Sequence, residues 1–164
     1  MTVSESERLQ FLQDMQTALS QTPKSISPKY FYDQAGSALF DRICELPEYY
    51  PTRTELSILQ SHAVDMSKCM GENADIIEFG AGSLQKIRYL LNVASNPARY
   101  VPMDISGAHL YACSADLQTE FVNLNIHPLV ADYTNQWHLP SALSGTGKRV
   151  AFFPGSTIGN FSPE

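Results

Sequence analysis

The stretch DIIEFGAGSLQK, residues 75–86, decides the fold of this chain. The sequence IIEF at residues 76–79 predicts a buried β-strand, and the Gly-Ala-Gly-Ser sequence at residues 80–83 predicts a tight turn. Beyond the turn, apolar residues recur at helical spacing and predict one face of a helix: Ile87, Leu90, Leu91 and Ala94. A buried strand, a Gly-rich turn and an amphipathic helix in this order are typical of α/β proteins.

The alternation of strands and helices continues toward the end of the chain. RYVPMD, residues 99–104, predicts a second strand, IHPLVAD at 126–132 a third, and RVAFFPG at 149–155 a fourth. Ser106 is a candidate N-cap for the intervening helix. The apolar seam of that helix is Leu110, Cys113, Leu117 and Phe121. This order predicts a mostly parallel sheet with right-handed crossovers, in which ligands bind at the carboxyl ends of the strands.

The first part of the chain, residues 1–72, is predicted to be helical. Residues 21–37 are rich in proline and aromatic residues and predict an ordered loop. A short helix is expected to end at Pro47, and Thr52 with Glu55 forms a capping-box pattern for a longer one. The apolar positions of the three helices are Phe11, Leu12, Met15 and Leu19; Leu39, Phe40, Ile43 and Leu46; and Leu59, Ala63, Met66 and Met70. We therefore expect a helical segment over 1–72 and a sheet domain over 73–164.

Composition excludes several classes of function. The formal net charge of −6 and the scattered Lys and Arg residues disfavour binding to nucleic acid. No run approaches the roughly 20 apolar residues that cross a bilayer, and the polar start of the chain is unlike a signal peptide, so we expect no membrane partner and a cytoplasmic location. Three distant cysteines predict reduced thiols, and the four histidines lack the spacing of metal ligands, which predicts no metal site.

Candidate ligand-binding residues follow three of the predicted strands. Gly80 and Gly82 permit close approach of a ligand to the turn. Asp104 lies about twenty residues downstream, where a carboxylate accepts ribose hydroxyls, and Asp132 with Tyr133 follows the third strand. Together these positions fit S-adenosylmethionine, with the turn at its methionyl part, Asp104 at ribose, and Asp132 and Tyr133 at adenine.

Each of these signals has a simpler explanation when taken alone. The Gly-rich turn can be a tight turn without a ligand, and a single Asp at the end of a strand is often a cap or a solvated turn residue. A dinucleotide fingerprint requires a third glycine where Gln85 stands, which disfavours a nicotinamide cofactor. The succession of three suitable strand ends favours the nucleoside cofactor.

Four stretches resemble a known family, the ergothioneine-pathway histidine Nα-methyltransferases. They are KYFYDQAGSALFDRICELPEYYPTRTE (29–55), IIEFGAGSLQK (76–86), YVPMDIS (100–106) and FFPGSTIGNFSPE (152–164). The resemblance runs from about Lys24 to the end of the chain, and LPEYYPTRTE and GSTIGN are its most specific parts. It implies a Rossmann-like class I methyltransferase sheet, preceded by a helical segment that carries loops on the substrate side.

The resemblance also implies roles for single residues. Gly80, Lys86, Asp104, Asp132 and Tyr133 match cofactor contacts, with the Lys86 ammonium near the cofactor's carboxylate. On the substrate side, Tyr49 matches a contact to the imidazole of histidine, Asn160 one to its α-amino acid group, and Gly155 and Tyr32 line the same pocket. Because the α-ammonium must lose its proton before methyl transfer, Tyr32 or a water that it holds is the candidate relay.

Two departures from the family pattern qualify these expectations. Leu84 and Gln85 precede Lys86 where the family usually has a hydroxyl residue. The family also continues well beyond GSTIGN, so we expect this chain to be roughly the N-terminal half of such an enzyme, with a truncated sheet and an exposed apolar edge at residues 150–153. We expect the chain to be marginally stable alone, to associate through that edge, or to be a truncated or nicked form of a longer protein. Two alternatives stay open: a methyltransferase for another amino acid such as tryptophan, and a non-catalytic binding or interaction module.

Overall fold

The protein is described here by a computed structural model that covers residues 5–140 and 148–161. The chain divides into two compact units, Met1–Tyr32 and Asp33–Glu164. The predicted boundary near residue 72 stays a prediction. None of the described helices is both long and apolar enough to cross a membrane.

The first unit contains helix α1 (Glu5–Ser20) and a 3₁₀ turn (Pro28–Phe31). The Tyr30 hydroxyl donates a hydrogen bond to the Asp14 carboxylate, and its ring meets Phe11 edge-on at 5.0 Å. Lys29 Nζ lies 3.4 Å from Asp14 Oδ2. These contacts attach the 3₁₀ turn to α1, on which three of the four predicted apolar positions, Phe11, Leu12 and Leu19, are exposed.

The second unit is a parallel sheet with helices between its strands. Its described helices are α2 (Gln34–Cys44), α3 (Tyr50–Met70), α4 (Gln85–Leu91) and α5 (Gly107–Glu120). Its described strands are β1 (Asp75–Phe79), β2 (Arg99–Asp104), β3 (Asn125–Ile126), β4 (Leu129–Val130) and β5 (Arg149–Phe152). All described strand pairs are parallel, which confirms the predicted α/β class.

The strand order reverses beside β1. β2 pairs with one edge of β1 and β5 with the other, while β3 and β4 both pair with β2. The chain therefore moves outward from β1 through β2 to β3 and β4, and returns to the opposite side of β1 at β5. Ligands in such sheets bind at the carboxyl ends of the strands where the order reverses, which here lies between β1 and β5.

Two apolar clusters form the core, one on each face of the sheet. On the first face, buried side chains of the sheet meet those of α3, α4 and α5, including Ile76, Tyr100, Ala63, Ile87, Leu110 and Leu117. On the second face, Ile77, Val101 and Met103 are buried against partly exposed residues such as Phe79 and Tyr133. The apolar positions predicted for α4 and α5 thus face the core, although α4 ends at Leu91 and Ala94 packs from beyond its end.

The predicted third strand is interrupted, which corrects the expectation of one strand over 126–132. The chain pairs with β2 at β3 and again at β4, and Pro128 lies between the two pairs. Since proline has no N–H to donate, it cannot continue the ladder. The N–H of His127 donates to Tyr100 O at 2.9 Å and that of Ala131 to Asp104 O at 3.1 Å, so β2 remains paired on both sides of the interruption.

Helix starts were predicted less accurately than strands. The capping box of Thr52 and Glu55 is wrong, because α3 already begins at Tyr50 and the Glu55 carboxylate binds outside its own helix. α2 begins at Gln34, within the predicted loop, where the Asp33 side chain accepts the N–H of Gly36 at 2.7 Å. Ser106 is the N-cap residue of α5, as predicted, but its side chain makes no capping bond.

The predicted fourth strand corresponds to β5, which pairs with β1 and is an edge strand of the described sheet. Arg149 and Ala151 are exposed, whereas Val150 and Phe152 are half-buried. Association through this edge stays a prediction.

Candidate functional site

The candidate site lies at the carboxyl ends of β1, β2, β4 and β5. In the turn after β1, Gly80 and Gly82 both have left-handed φ angles, +68° and +55°. The N–H groups of Gly80 and Ala81 each donate to Met103 O at 3.0 Å, which holds the turn against the end of β2. A glycine is required here because other L-residues are strained at such angles.

Residues of two other loops lie close to Gly80. A Cβ atom at this position would lie 3.4 Å from the Tyr133 hydroxyl and 3.8 Å from Thr157 Oγ1. The structure therefore brings together residues that follow β1, β4 and β5, as expected for one binding site at the strand ends.

Asp104 connects the turn after β1 with the turn after β2. Its Oδ2 accepts the N–H of Gly82 at 3.1 Å, and its Oδ1 accepts the N–H of Ser106 at 2.9 Å. A carboxylate has about four acceptor positions. With two occupied by backbone donors, Asp104 is fixed in orientation and keeps acceptor capacity for the hydroxyls of a ligand.

Asp132 shapes the turn after β4. Its Oδ1 accepts the N–H of Thr134 at 2.9 Å and its Oδ2 accepts the side-chain amide of Asn135 at 2.8 Å. This is the Asx-type turn that the simpler explanation of this aspartate describes. Its predicted contact with adenine stays a prediction.

An aromatic cluster surrounds Tyr133. Its ring meets Phe79 edge-on with centroids 5.8 Å apart, Phe153 at 5.7 Å and Phe161 at 6.1 Å. Trp137 packs on Phe79 at 5.6 Å. Of this cluster only Tyr133 was predicted from the sequence, although FFPGSTIGNF contains two of its other members, Phe153 and Phe161. The cluster places several aromatic rings, packed edge-on, at this end of the site.

Lys86 lies in the first turn of α4 and forms an ion pair with Glu55 of α3. The Nζ–Oε2 distance is 2.7 Å, and the side chains are 20% and 27% exposed. The other oxygen of Glu55, Oε1, accepts the N–H of Gly155 at 2.6 Å. Sequence reasoning missed Glu55, because its spacing from Thr52 also fits a capping box.

The missing hydroxyl before Lys86 has a structural explanation. Leu84 is 1% exposed and packs in the core, at the N-cap of α4, with a left-handed φ of +56°. Its carbonyl accepts a hydrogen bond from Arg88 Nη1 at 2.6 Å. Leu84 therefore packs in the core with its side chain and begins α4 with its backbone.

The loop after β5 contains two consecutive left-handed residues, Gly155 (φ +83°) and Ser156 (φ +56°). Such strain in a non-glycine residue persists where surrounding contacts fix the backbone, often at functional sites. A 3₁₀ turn follows at Thr157–Asn160, and the Asn160 side chain is exposed there.

The other predicted substrate residues, Tyr32 and Tyr49, lie in the first part of the chain, far from this loop in the sequence. Tyr49 is the N-cap residue of α3, and its ring meets Phe40 edge-on at 5.9 Å. Tyr32 ends the first compact unit and is half-buried. The predicted roles of Tyr32, Tyr49 and Asn160 stay predictions.

Beneath the Gly-rich turn lies a buried pair that sequence reasoning missed. Glu78 in β1 is 1% exposed, and its carboxyl accepts a hydrogen bond from the Tyr100 hydroxyl of β2. Burial raises the pKa of Glu78 to about 8, against the opposing effects of the Tyr100 hydrogen bond and of Lys86. Burial and the neighbouring Glu78 raise the pKa of Tyr100 as well. The position of Glu78 between the apolar residues Ile77 and Phe79 was the available signal.

Within the two described stretches, no three His, Cys, Asp or Glu side chains are grouped closely enough to hold a metal ion. Cys44, Cys69 and Cys113 carry free thiols. Burial raises the pKa of Cys113. An elevated pKa lowers the thiolate fraction, which disfavours nucleophilic chemistry at this residue.

Comparison with known proteins identifies the class. Residues 11–164 match the family described as histidine-specific, SAM-dependent methyltransferases. The chain belongs to this family, and its parallel sheet with a Gly-rich turn and an acidic residue after the second strand is the Rossmann-like methyltransferase fold.

The similar proteins include enzymes named for histidine methylation. The chain is 39% identical to the histidine N-alpha-methyltransferase of Mycobacterium tuberculosis and 37% identical to that of Mycolicibacterium smegmatis, in each case over 92% of this chain and 46% of the relative. It is 31% identical to ergothioneine biosynthesis protein 1 of Neurospora crassa, over 85% of this chain and 16% of that protein. The chain thus spans about half the length of the two bacterial relatives and a smaller part of the fungal one.

Proposed function

We propose that the protein carrying this chain methylates the α-amine of histidine with S-adenosylmethionine, up to the trimethylated product used for ergothioneine. Membership of the histidine-specific family and the names of the similar proteins support the reaction. The observation that carries the proposal is the geometry around Asp104, whose carboxylate is fixed by Gly82 and Ser106 beside a turn of left-handed glycines.

The residues present fit the proposed cofactor. The turn of left-handed glycines after β1 suits the methionyl part, and Asp104 suits the ribose hydroxyls. Tyr133 and its aromatic neighbours suit adenine, with Asp132 at the same turn. Lys86 has three N–H donors, so it can bind the cofactor's carboxylate while it remains paired with Glu55. The bound cofactor would supply a methyl group on an electrophilic sulfonium.

The protein's contribution is mainly alignment. Holding an amine in line with a methyl donor converts the reaction into an effectively intramolecular one. In this proposal Asn160 accepts from the α-amine with its carbonyl oxygen and donates to the α-carboxylate with its amide, Gly155 lines the pocket, and Tyr49 contacts the imidazole. The α-ammonium loses its proton either to a water that Tyr32 holds or to the Tyr32 hydroxyl, which passes its own proton on to solvent as it accepts the new one.

The proposed partners are small molecules, and the proposed location is the cytoplasm, where histidine and S-adenosylmethionine are both available. The acidic net charge agrees with a protein that does not bind nucleic acid. The alternative acceptor, another amino acid such as tryptophan, is not favoured by the similarity to the histidine methyltransferases.

A direct test is methyl transfer by the full-length protein, with histidine and tryptophan offered separately and the products identified by mass spectrometry. Successive methylation of histidine alone is expected. Transfer to tryptophan in preference to histidine would refute the proposed acceptor and retain the cofactor. In Asn160→Ala, the affinity for histidine should fall far more than that for S-adenosylhomocysteine, whereas equal losses would refute the role of Asn160.

A further inference from the structure

Glu55 connects three segments of the second unit through one carboxylate. It projects from α3, its Oε2 pairs with Lys86 of α4 at 2.7 Å, and its Oε1 accepts the N–H of Gly155, after β5, at 2.6 Å. Hydrogen bonds with an ionised partner are about twice as strong as neutral ones. The two contacts therefore attach the start of α4 and the loop after β5 to the same side chain.

The packing around this carboxylate is tight. A Cβ atom at Gly155 would lie 3.0 Å from Lys86 Nζ and 3.4 Å from Thr157 Oγ1. The ammonium therefore lies directly against the backbone of the loop. Because of this contact, a shift of the ammonium and a shift of the loop are not independent.

A second ion pair on the same helix shows what is particular about Glu55. Lys68 and Asp65 are also paired at 2.8 Å, but both belong to α3 and their side chains are 71% and 72% exposed. That pair links one turn of a helix to the next. Glu55 and Lys86 are less than half as exposed and lie between two helices, so solvent screens their interaction less.

The two groups that Glu55 holds belong to different parts of the proposed site. Lys86 is assigned to the cofactor's carboxylate, and Gly155 begins the loop that carries Asn160, assigned to the amino acid. We infer that Glu55 is a positioning residue that couples the two binding events: fixing the Lys86 ammonium in the cofactor complex also fixes the loop at Gly155 for the amino acid. This inference rests on the proposed function.

The coupling arises because the same groups must become ordered for either ligand to bind, and this entropic cost arises only once when both ligands bind. If the first ligand immobilises the ammonium, the carboxylate and the loop, the second ligand binds to a loop that is already ordered. Thermodynamic linkage then requires each ligand to tighten the other by the same factor. The factor should reach about fivefold or more, the lower end of typical coupling between sites.

The test measures histidine affinity of the full-length protein by calorimetry, with and without saturating S-adenosylhomocysteine, in wild type, Glu55→Gln and Asp65→Asn. In Glu55→Gln, the side-chain oxygen can still accept from Gly155, but the neutral amide cannot form an ion pair with the Lys86 ammonium. We expect wild type and Asp65→Asn to show at least about fivefold tightening, and Glu55→Gln to show a factor near one. Equal factors in wild type and Glu55→Gln would overturn the inference.

Other outcomes are also decisive. Loss of affinity for both ligands in Glu55→Gln with an unchanged factor would mean a merely structural role and overturn the inference, as would absence of coupling in wild type. If wild type binds neither ligand, the proposed function itself fails. Hydrogen exchange of the peptide over residues 153–161 provides a second readout, because S-adenosylhomocysteine should protect it in wild type and leave it unchanged in Glu55→Gln.

Gly155→Ala tests the same connection if Glu55→Gln does not fold. It keeps the carboxylate but places a methyl group 3.0 Å from Lys86 Nζ at a left-handed φ. The ammonium should be displaced and the coupling factor should fall toward one. Full coupling in this variant would overturn the inference.

Discussion

Replacing Glu78 by glutamine should remove a large part of the pH dependence of stability. Glu78 is buried, and its pKa is raised by burial from 4.5 to about 8. At a pH between these two pKa values, Glu78 keeps its proton in the folded protein but has released it in the unfolded chain. Stability is therefore highest below the unfolded pKa and falls as the pH rises through this window, by up to about 1.4 kcal/mol for each pH unit.

The magnitude follows from the width of the window. A rise from about pH 5.5 to about pH 7.5 lies inside it, so the Glu78 carboxyl should lower the free energy of unfolding of wild type by about 3 kcal/mol. Glutamine does not titrate, has nearly the same shape and can still accept from the Tyr100 hydroxyl. Glu78→Gln should therefore lose about 3 kcal/mol less than wild type over the same range.

The assay is urea unfolding at several pH values, followed by circular dichroism. Glu120→Gln is a matched control, because Glu120 is exposed and its pKa is lowered by the hydrogen bond from Arg88. Its contribution is present above the unfolded pKa and is lost at more acidic pH, so Glu120→Gln should follow wild type in the window used here. Parallel curves for wild type and Glu78→Gln would refute the argument from burial.

Two further substitutions test the turn and the core. Gly80→Ala should lower the free energy of unfolding in urea by about 1–2 kcal/mol, because a left-handed φ costs a non-glycine residue about this much; unchanged stability would contradict the left-handed turn. Leu110→Ala removes a fully buried side chain and should cost about 2–5 kcal/mol in urea unfolding. Leu39→Ala, at a 55% exposed position, should change stability by less than about 0.5 kcal/mol, and equal effects of the two would contradict the described core.

The order of strands and helices was predictable from the sequence because burial acts locally. Ile76 and Ile77 are apolar because each is buried in the core on one face of the sheet, and the spacing of Leu110 and Leu117 reflects the one face of α5 that meets the sheet. The turn after β1 was predictable for a similar reason, because Gly80 and Gly82 occupy backbone angles that glycine adopts most readily. Asp104 was found through its position at the end of a strand.

Tertiary contacts explain what the sequence could not show. Glu55 fits a capping box by spacing, and nothing in the local sequence reveals that its carboxylate reaches Lys86 and Gly155, thirty-one and one hundred positions away. Leu84 was read as a missing hydroxyl, whereas it is a core residue. The interruption of the third strand had a local signal in Pro128, which was not used.

The most direct test of the cofactor site is a calorimetric titration of the protein with S-adenosylhomocysteine, beside Asp104→Ala and the control Asp116→Ala. Asp116 is exposed on α5, so its removal should leave the affinity unchanged. Loss of two hydrogen bonds to a charged acceptor should weaken binding to Asp104→Ala by about a hundredfold or more. Binding by wild type that disappears in Asp104→Ala alone is the predicted result. Equal binding by all three proteins, or none by wild type, would contradict the site proposed here.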